Sequence, residues 1–281
     1  MKYESSFKSE ADNLEISIMA VIPDKKPYRA VVQLVHGMSE HKERYLPFME
    51  YLAKLGYVTV IHDHRGHGKS VKNQDDLGFT YGGGAQAMLQ DIRTVNRKIH
   101  AYYPELPLIL MGHSMGSLAV RAFVAEHDSC VDMLIVCGSP SYNTAMPLGV
   151  AIAKTEKAVF GPRHRSKLIE TMSFGAGAMK FRKDKRCTAW ICSNPDVAKE
   201  YEESELCGFT FTDDAYLALF ELMKRAYDVE HFSCTNPDMP VLFVSGAEDP
   251  CLINVRHFAK TVRAMRHAGY KDVKGKLYPG M

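Results

Sequence analysis

Ser114 sits between two glycines in Gly112-His113-Ser114-Met115-Gly116, after the apolar run "LPLILM" and before the helix-compatible "SLAV". Glycine and serine are common, so the pattern recurs by accident and its setting must carry the argument. Where a strand ends and a helix begins, Gly-x-Ser-x-Gly forms a sharp turn that lifts the serine hydroxyl to the sheet edge as a nucleophile. Gly112 and Gly116 allow the arms of that turn to approach. The following helix aims its free N–H groups and positive dipole end at the serine oxygen. The chemistry would be attack on an acyl carbon, which also requires oxyanion donors, a base and an acid. The plainer alternative is a serine that merely caps a helix.

One oxyanion donor is expected from Met115, the residue after the nucleophile, and another from a loop after an earlier strand. "LVHGMSEH" is such a loop, with His36 and Gly37 shaping a turn that offers the Met38 N–H. Asp249 follows the strand-like "PVLFVSG" and precedes Pro250, at the sheet edge where α/β proteins place their sites; Glu248 is adjacent. The chain order is serine, acid, histidine. Of twelve histidines only His257 and His267 come after Asp249, both in a predicted helix expected to pack beside the sheet and away from that edge. Neither is expected to be the base. In "HDHRGHGKS", His62 and His64 share a strand face and raise the question of a metal. A strand followed by a turn fixed by Asp63 and Arg65 explains the stretch without one, and no metal is expected. Glu40, His41 and Arg44 read as a local polar network beside the oxyanion loop.

The elements that must hold these residues follow from hydrophobic patterning. "LEISIMAVIP" alternates as a half-buried strand. "AVVQLVHG", "YVTVIHDHRG", "PLILMGHS" and "VDMLIVCGSP" are continuous apolar runs suited to parallel strands buried on both faces. Helical stretches lie between them, and "PVLFVSG" and "VKGKLYPG" bracket a further helix that ends on glycine. The alternation implies a mostly parallel sheet flanked by helices, with a core of residues 1–140 and 237–281. Residues 141–236 show helical patterns at "PLGVAIAKTEKAVFG" and "DDAYLALFELMKRAYDV" and are expected to form an inserted helical cap between the sixth and seventh strands. Within it, residues 154–186 carry ten Lys or Arg against three acids, and residues 196–230 ten acids against three bases. Mutually pairing solvated faces explain this; a basic rim attracting anionic head groups is the sharper reading.

Composition narrows the partners. A net charge of +2 gives no broad basic field for nucleic acid, and 46% hydrophobic residues suffice for a large core. The N-terminal "MKYESSFKSEADNLEIS" has no signal-peptide core, and seven cysteines without metal-like spacing, Cys187 and Cys192 included, read as reduced thiols of a cytoplasmic protein.

Together, "HGMSEHKERY", "DHRGHGKS", "GHSMG", "GAEDP" and "YPG" resemble, in order and rough spacing, the monoglyceride lipase and lysophospholipase branch of the α/β-hydrolases; "ELCGFTFT" resembles a cap segment of bacterial relatives. The resemblance spans nearly the whole chain. It implies the α/β-hydrolase fold, a Ser-Asp-His carboxylic-ester hydrolase, an acyl pocket under the cap and no cofactor. It gives Ser114 the nucleophile's place, Asp249 the acid's, and Met38 with Met115 the oxyanion donors. His113, Phe209 and Phe211 are further candidates to touch substrate. A monoacylglycerol, lysophospholipid or short-chain ester is the expected substrate, with at most transient contact with a membrane surface. A thioesterase or small peptidase with the same machinery, or a hydrolase-like binding protein without catalysis, remain alternatives. In the related pattern a histidine follows "YPG" closely, about two residues beyond Met281. The sequence reading therefore expects a longer natural hydrolase and little esterase activity from these 281 residues.

Overall fold

A computed structural model of the chain describes residues 1–180 and 190–281. Cys187 and the end of the basic tract, 181–186, lie outside the described residues. Eight strands form one sheet in the order β1-β2-β4-β3-β5-β6-β7-β8. They are β1 (Lys2–Lys8), β2 (Glu15–Val21), β3 (Val31–Val35), β4 (Val58–His62), β5 (Leu108–His113), β6 (Met133–Cys137), β7 (Val241–Gly246) and β8 (Val273–Tyr278). β2 pairs antiparallel with both β1 and β4, and every pairing from β4 to β8 is parallel. The strands with continuous apolar runs take the middle: all five residues of β3 and of β4 are buried. β1, "KYESSFK", is nearly all exposed, so its sequence has no apolar pattern to reveal it; pairing along β2 makes it a strand.

Helices cover both faces. Val32 and Leu34 of β3 pack with Met19, Met49 and Ile61 on one side, under α1 (Leu46–Lys54). Val31 and Val35, whose side chains alternate to the other face, join the larger core with α2 (Gly84–Tyr102), α3 (Met115–His127) and α8 (Val255–His267). This is a mostly parallel open sheet flanked by helices, as the sequence predicts.

Between β6 and β7 the described residues hold helices and no strand: α4 (Met146–Phe160), α5 (Lys167–Lys180), α6 (Pro195–Glu203) and α7 (Asp213–Tyr227). α4 and α7 match the two patterns visible in the sequence. α7 opens on Thr212, whose hydroxyl accepts from the Ala215 N–H at 3.3 Å. α6 opens on Asn194, whose side chain accepts from the Asp196 N–H at 3.0 Å. The cap is sewn to the sheet edge by backbone: the Gly208 N–H donates to Ser39 O at 2.9 Å and the Thr212 N–H to Gly78 O at 2.9 Å.

Candidate active site

Ser114 occupies the junction of β5 and α3 with φ +52° and ψ −117°, a conformation costly for any residue with a Cβ. It is held there from both sides. Its N–H donates to Cys137 O on neighbouring β6 at 2.9 Å, and its carbonyl accepts from the Ser117 N–H at 2.9 Å and the Ser117 hydroxyl at 2.5 Å. The close approach expected of the glycines is present. A methyl on Gly112 would collide with the Gly116 carbonyl, and one on Gly116 with the carbonyls of Val35 and His36 at the end of β3. The first turn of α3 therefore rests directly on the loop that carries Gly37 and Met38.

A Cβ built on Gly37 would lie 3.2 Å from the Ser114 Cβ and 3.3 Å from His113 Nδ1, so loop and turn are in contact. The Gly37 N–H is already committed to Glu40 Oε1 at 2.5 Å, which makes Met38 the next amide of the loop. Glu40 also accepts from the Tyr45 hydroxyl at 2.9 Å, pairs with Arg44, and meets His113 Nδ1 at 3.2 Å. Burial alone would raise its carboxyl; His113 and Arg44 instead hold it well below the usual range. Tyr45 OH lies 3.1 Å from His113 Nδ1, tying the residue before Ser114 to the loop. Tyr45 was not singled out in the sequence, although it closes the "HKERY" motif.

Asp249 lies just past β7, half-buried. Its carboxylate accepts from the Ser245 hydroxyl at 2.9 Å and from the Cys251 N–H at 2.8 Å, which fixes its orientation. Gly138, at the end of β6, is the common neighbour: a Cβ there would be 3.5 Å from His113 Nε2 and 3.6 Å from Asp249 Oδ2. Ser114 and Asp249 thus stand at the ends of β5 and β7 with β6 between them. Two strand spacings, about 10 Å, separate the paths of β5 and β7. Glu248 is exposed, and its N–H donates to Met281 O at 2.8 Å, so the chain after β8 lies against the Asp249 loop.

His257 belongs to the first turn of α8, with Nδ1 3.0 Å from Asn254 Oδ1; His267 is exposed in the last turn. Because α8 starts directly after the Asp249 loop, His257 sits at the helix end nearer that edge. The sequence reading placed the whole helix away from it. Phe209 and Phe211 flank the His67 ring at 5.2 and 5.3 Å. Phe211 is buried in the core, while Phe209 is half-buried. The Ser39 hydroxyl donates to Phe209 O at 2.7 Å, bringing this cap segment onto the loop of Gly37 and Met38.

The histidine-rich stretch forms the floor beneath. His36, His62, His64 and His67 are all buried, with successive ring centroids 4.5–5.3 Å apart for His36–His64, His62–His64 and His36–His67. Hydrogen bonding makes His36 and His67 neutral. His36 Nδ1–H donates to Gly37 O at 2.8 Å while Nε2 accepts from the His64 N–H at 3.0 Å, so the approach of Asp63 at 3.9 Å is not an ion pair. His67 Nδ1–H donates to Arg65 O at 3.1 Å and Nε2 accepts from the Ser39 N–H at 3.3 Å. Asp63 and Arg65 fix the turn as the sequence suggests: Asp63 holds Lys42 Nζ at 2.8 Å and the Lys69 N–H at 2.9 Å, and Arg65 pairs with Asp12 and Asp91.

Burial depresses all four histidines, His62 and His67 to about 4. The unfolded chain binds these protons near the ordinary value of 6.5 and the folded chain does not, so stability is full above that pH and is lost as pH falls from 6.5 towards 4. His62 and His67 each contribute a loss on the order of 3 kcal/mol across that window. Glu40 and Glu43, held low, add to it at still lower pH, while Asp63, raised by burial, opposes it. The urea midpoint is expected to drop steeply between pH about 7 and pH about 5, and a flat profile would contradict the neutral-histidine floor.

Comparison with known proteins identifies the family. The family described as serine aminopeptidase, S33, matches residues 26–281. The monoacylglycerol lipase of Mycolicibacterium smegmatis is 33% identical over 135 residues, 47% of this chain and 46% of that protein. The monoglyceride lipase homolog of monkeypox virus is 31% identical over 178 residues, 63% and 56% of the two. The chain thus spans about half the length of the curated relatives it matches. A thermostable carboxyl esterase of Bacillus coagulans, solved with glycerol, superposes with TM-score 0.90 at 25% identity over 99% of this chain and 90% of its own. The fold of a yeast monoglyceride lipase variant is shared at TM-score 0.70 and 19% identity, over 98% of this chain and 87% of that one. The chain belongs to the serine aminopeptidase S33 family of α/β-hydrolases and is similar to its monoglyceride lipase members.

Proposed function

We propose that the chain is a serine hydrolase of carboxylic esters, with monoacylglycerol, lysophospholipid or short-chain esters as substrates and a covalent acyl-enzyme on Ser114. The strained backbone of Ser114 carries this reading, because a helix cap or a binding surface gains nothing from φ +52°. Met38 and Met115 N–H groups, on the two segments that meet at Ser114, receive the oxyanion. Asp249 orients the base and stabilises it once charged. His113 positions the turn through Tyr45 and Glu40, and Phe209 lines the acyl side under the cap. Met38 adds a flexible apolar surface. Exposed Leu148, Val159, Phe160 and Leu168 on the cap, with nearby lysines, support brief contact with a lipid surface. The six free cysteines among the described residues fit a reducing compartment such as the cytoplasm.

The base is an imidazole placed between Ser114 and Asp249. His257 is engaged by Asn254 and His267 is on the far end of α8, whereas a segment continuing from Met281 would start beside Glu248. We therefore expect these 281 residues alone to hydrolyse esters poorly and a chain extended by a histidine-bearing segment to gain activity. Both chains should be assayed with a monoacylglycerol, a lysophospholipid, an acyl thioester and an aminoacyl amide. Ester turnover by the extended chain, about a hundredfold or more above the shorter one, is expected. Preference for the thioester or the amide would shift the assignment to a thioesterase or a peptidase, and ligand binding without turnover to a non-catalytic binder.

A further inference from the structure

Away from Ser114, the cap brings together three side chains that the hydrolase machinery does not use. Glu156 comes from the last turns of α4, His164 from the link between α4 and α5, and Asp213 is the first residue of α7. Among the described residues they form the one group of three or more His, Cys, Asp or Glu whose ligand atoms all lie within 4.8 Å of one another. His164 Nδ1 is 2.9 Å from Asp213 Oδ2 and 4.0 Å from Glu156 Oε2. Donor atoms about 2.0–2.1 Å from a tetrahedral zinc stand about 3.3 Å apart, a value these two separations bracket.

The acid groups are also short of partners. Asp213 is fully buried, yet its Oδ1 accepts no hydrogen bond; the buried Glu156 Oε2 accepts none either. A buried carboxylate oxygen left unsatisfied is costly. Lys157, next to Glu156 in the chain, has its Nζ committed to Asp214 Oδ1 at 2.6 Å. The Phe160 ring packs 4.7 Å from the His164 ring and limits its rotation. Glu156 and His164 keep 23% and 31% of their side-chain surface exposed, which leaves an entry path from solvent.

We propose that Glu156, His164 and Asp213 bind one divalent cation of the zinc class, with water completing the shell. One imidazole and two carboxylates suit a borderline cation better than magnesium or calcium, which favour oxygen-only shells. His164 would ligate through Nδ1 as a neutral ring, its proton on Nε2. Its role is to clasp α4 to the start of α7, directly after the Phe209–Phe211 stretch that lies on the oxyanion loop.

Equilibrium dialysis against zinc, magnesium and calcium salts with elemental analysis tests this on the 281-residue chain, with Glu156→Gln and His164→Ala variants checked for fold by circular dichroism. About one equivalent of zinc is expected to remain bound and to raise the melting temperature, with each variant losing about tenfold or more in affinity. Equal zinc retention by wild type and both variants would assign the metal to cysteines and overturn the site. No retention by the wild type would leave the cluster an ion pair, and tighter binding of magnesium or calcium would overturn the zinc-class assignment.

Discussion

Ser114→Gly is expected to make the protein more stable and catalytically dead. At φ +52° a residue with a Cβ stores about 1–3 kcal/mol of backbone strain that glycine avoids. The greater freedom of glycine in the unfolded chain returns roughly 0.5–1 kcal/mol, so a net gain near 1 kcal/mol remains. Ser114→Ala keeps the Cβ and with it the strain, so its melting temperature should stay close to that of the parent. Both substitutions remove the oxygen that forms the acyl bond. In a chain that carries the base, ester hydrolysis should fall by about a thousandfold or more, and labelling by a fluorophosphonate should vanish. The pairing of opposite signs is the diagnostic: strain held at a nucleophile gives up stability for function. Retained labelling in either variant would show that Ser114 is not the nucleophile, whatever its conformation.

Gly116→Ala tests the packing of the same turn and should be strongly destabilising. Gly116 lies in the first turn of α3, where helix propensity alone would favour alanine by about 1 kcal/mol. The new methyl, however, would meet the carbonyl oxygens of Val35 and His36, main-chain atoms at the end of a buried central strand. No flexible side chain is there to yield. Relief requires α3 to shift off β3, and a loss of about 3 kcal/mol or more is expected, enough to lower the melting temperature by roughly 6 °C or more. Since Gly37 and Met38 follow directly on that strand end, the shift would also open the oxyanion loop and depress turnover. A neutral or stabilising effect, read by thermal melts, would mean that strand and helix are not packed as described.

Much of this was legible in the sequence because it rests on local rules. Continuous apolar runs marked β3 to β7, since strands covered on both faces have no polar side to alternate with. Glycines flanking Ser114 marked the sharp turn, since only residues without a side chain allow the backbone contacts between Gly112, Gly116 and β3. Its place after a strand end and before Pro250 made Asp249 the candidate acid. β1 was not legible, because an exposed strand needs its partner β2 and not its own pattern. α6, only nine residues long, was missed for a related reason: a short helix depends on caps and tertiary contacts more than on periodicity.

Local patterns show what a segment tends to do, and contacts between distant segments lie beyond them. Only the assembled sheet sets Gly138 beside both His113 and Asp249, from three different strands. Only the folded turn makes His36 and His67 neutral, because the N–H that donates to each Nε2 is brought in from elsewhere in the fold. And only the packed cap joins Glu156, His164 and Asp213, separated in the chain but within one coordination sphere in space. Periodicity is a property of neighbours in sequence; burial, protonation and ligand geometry are properties of neighbours in space.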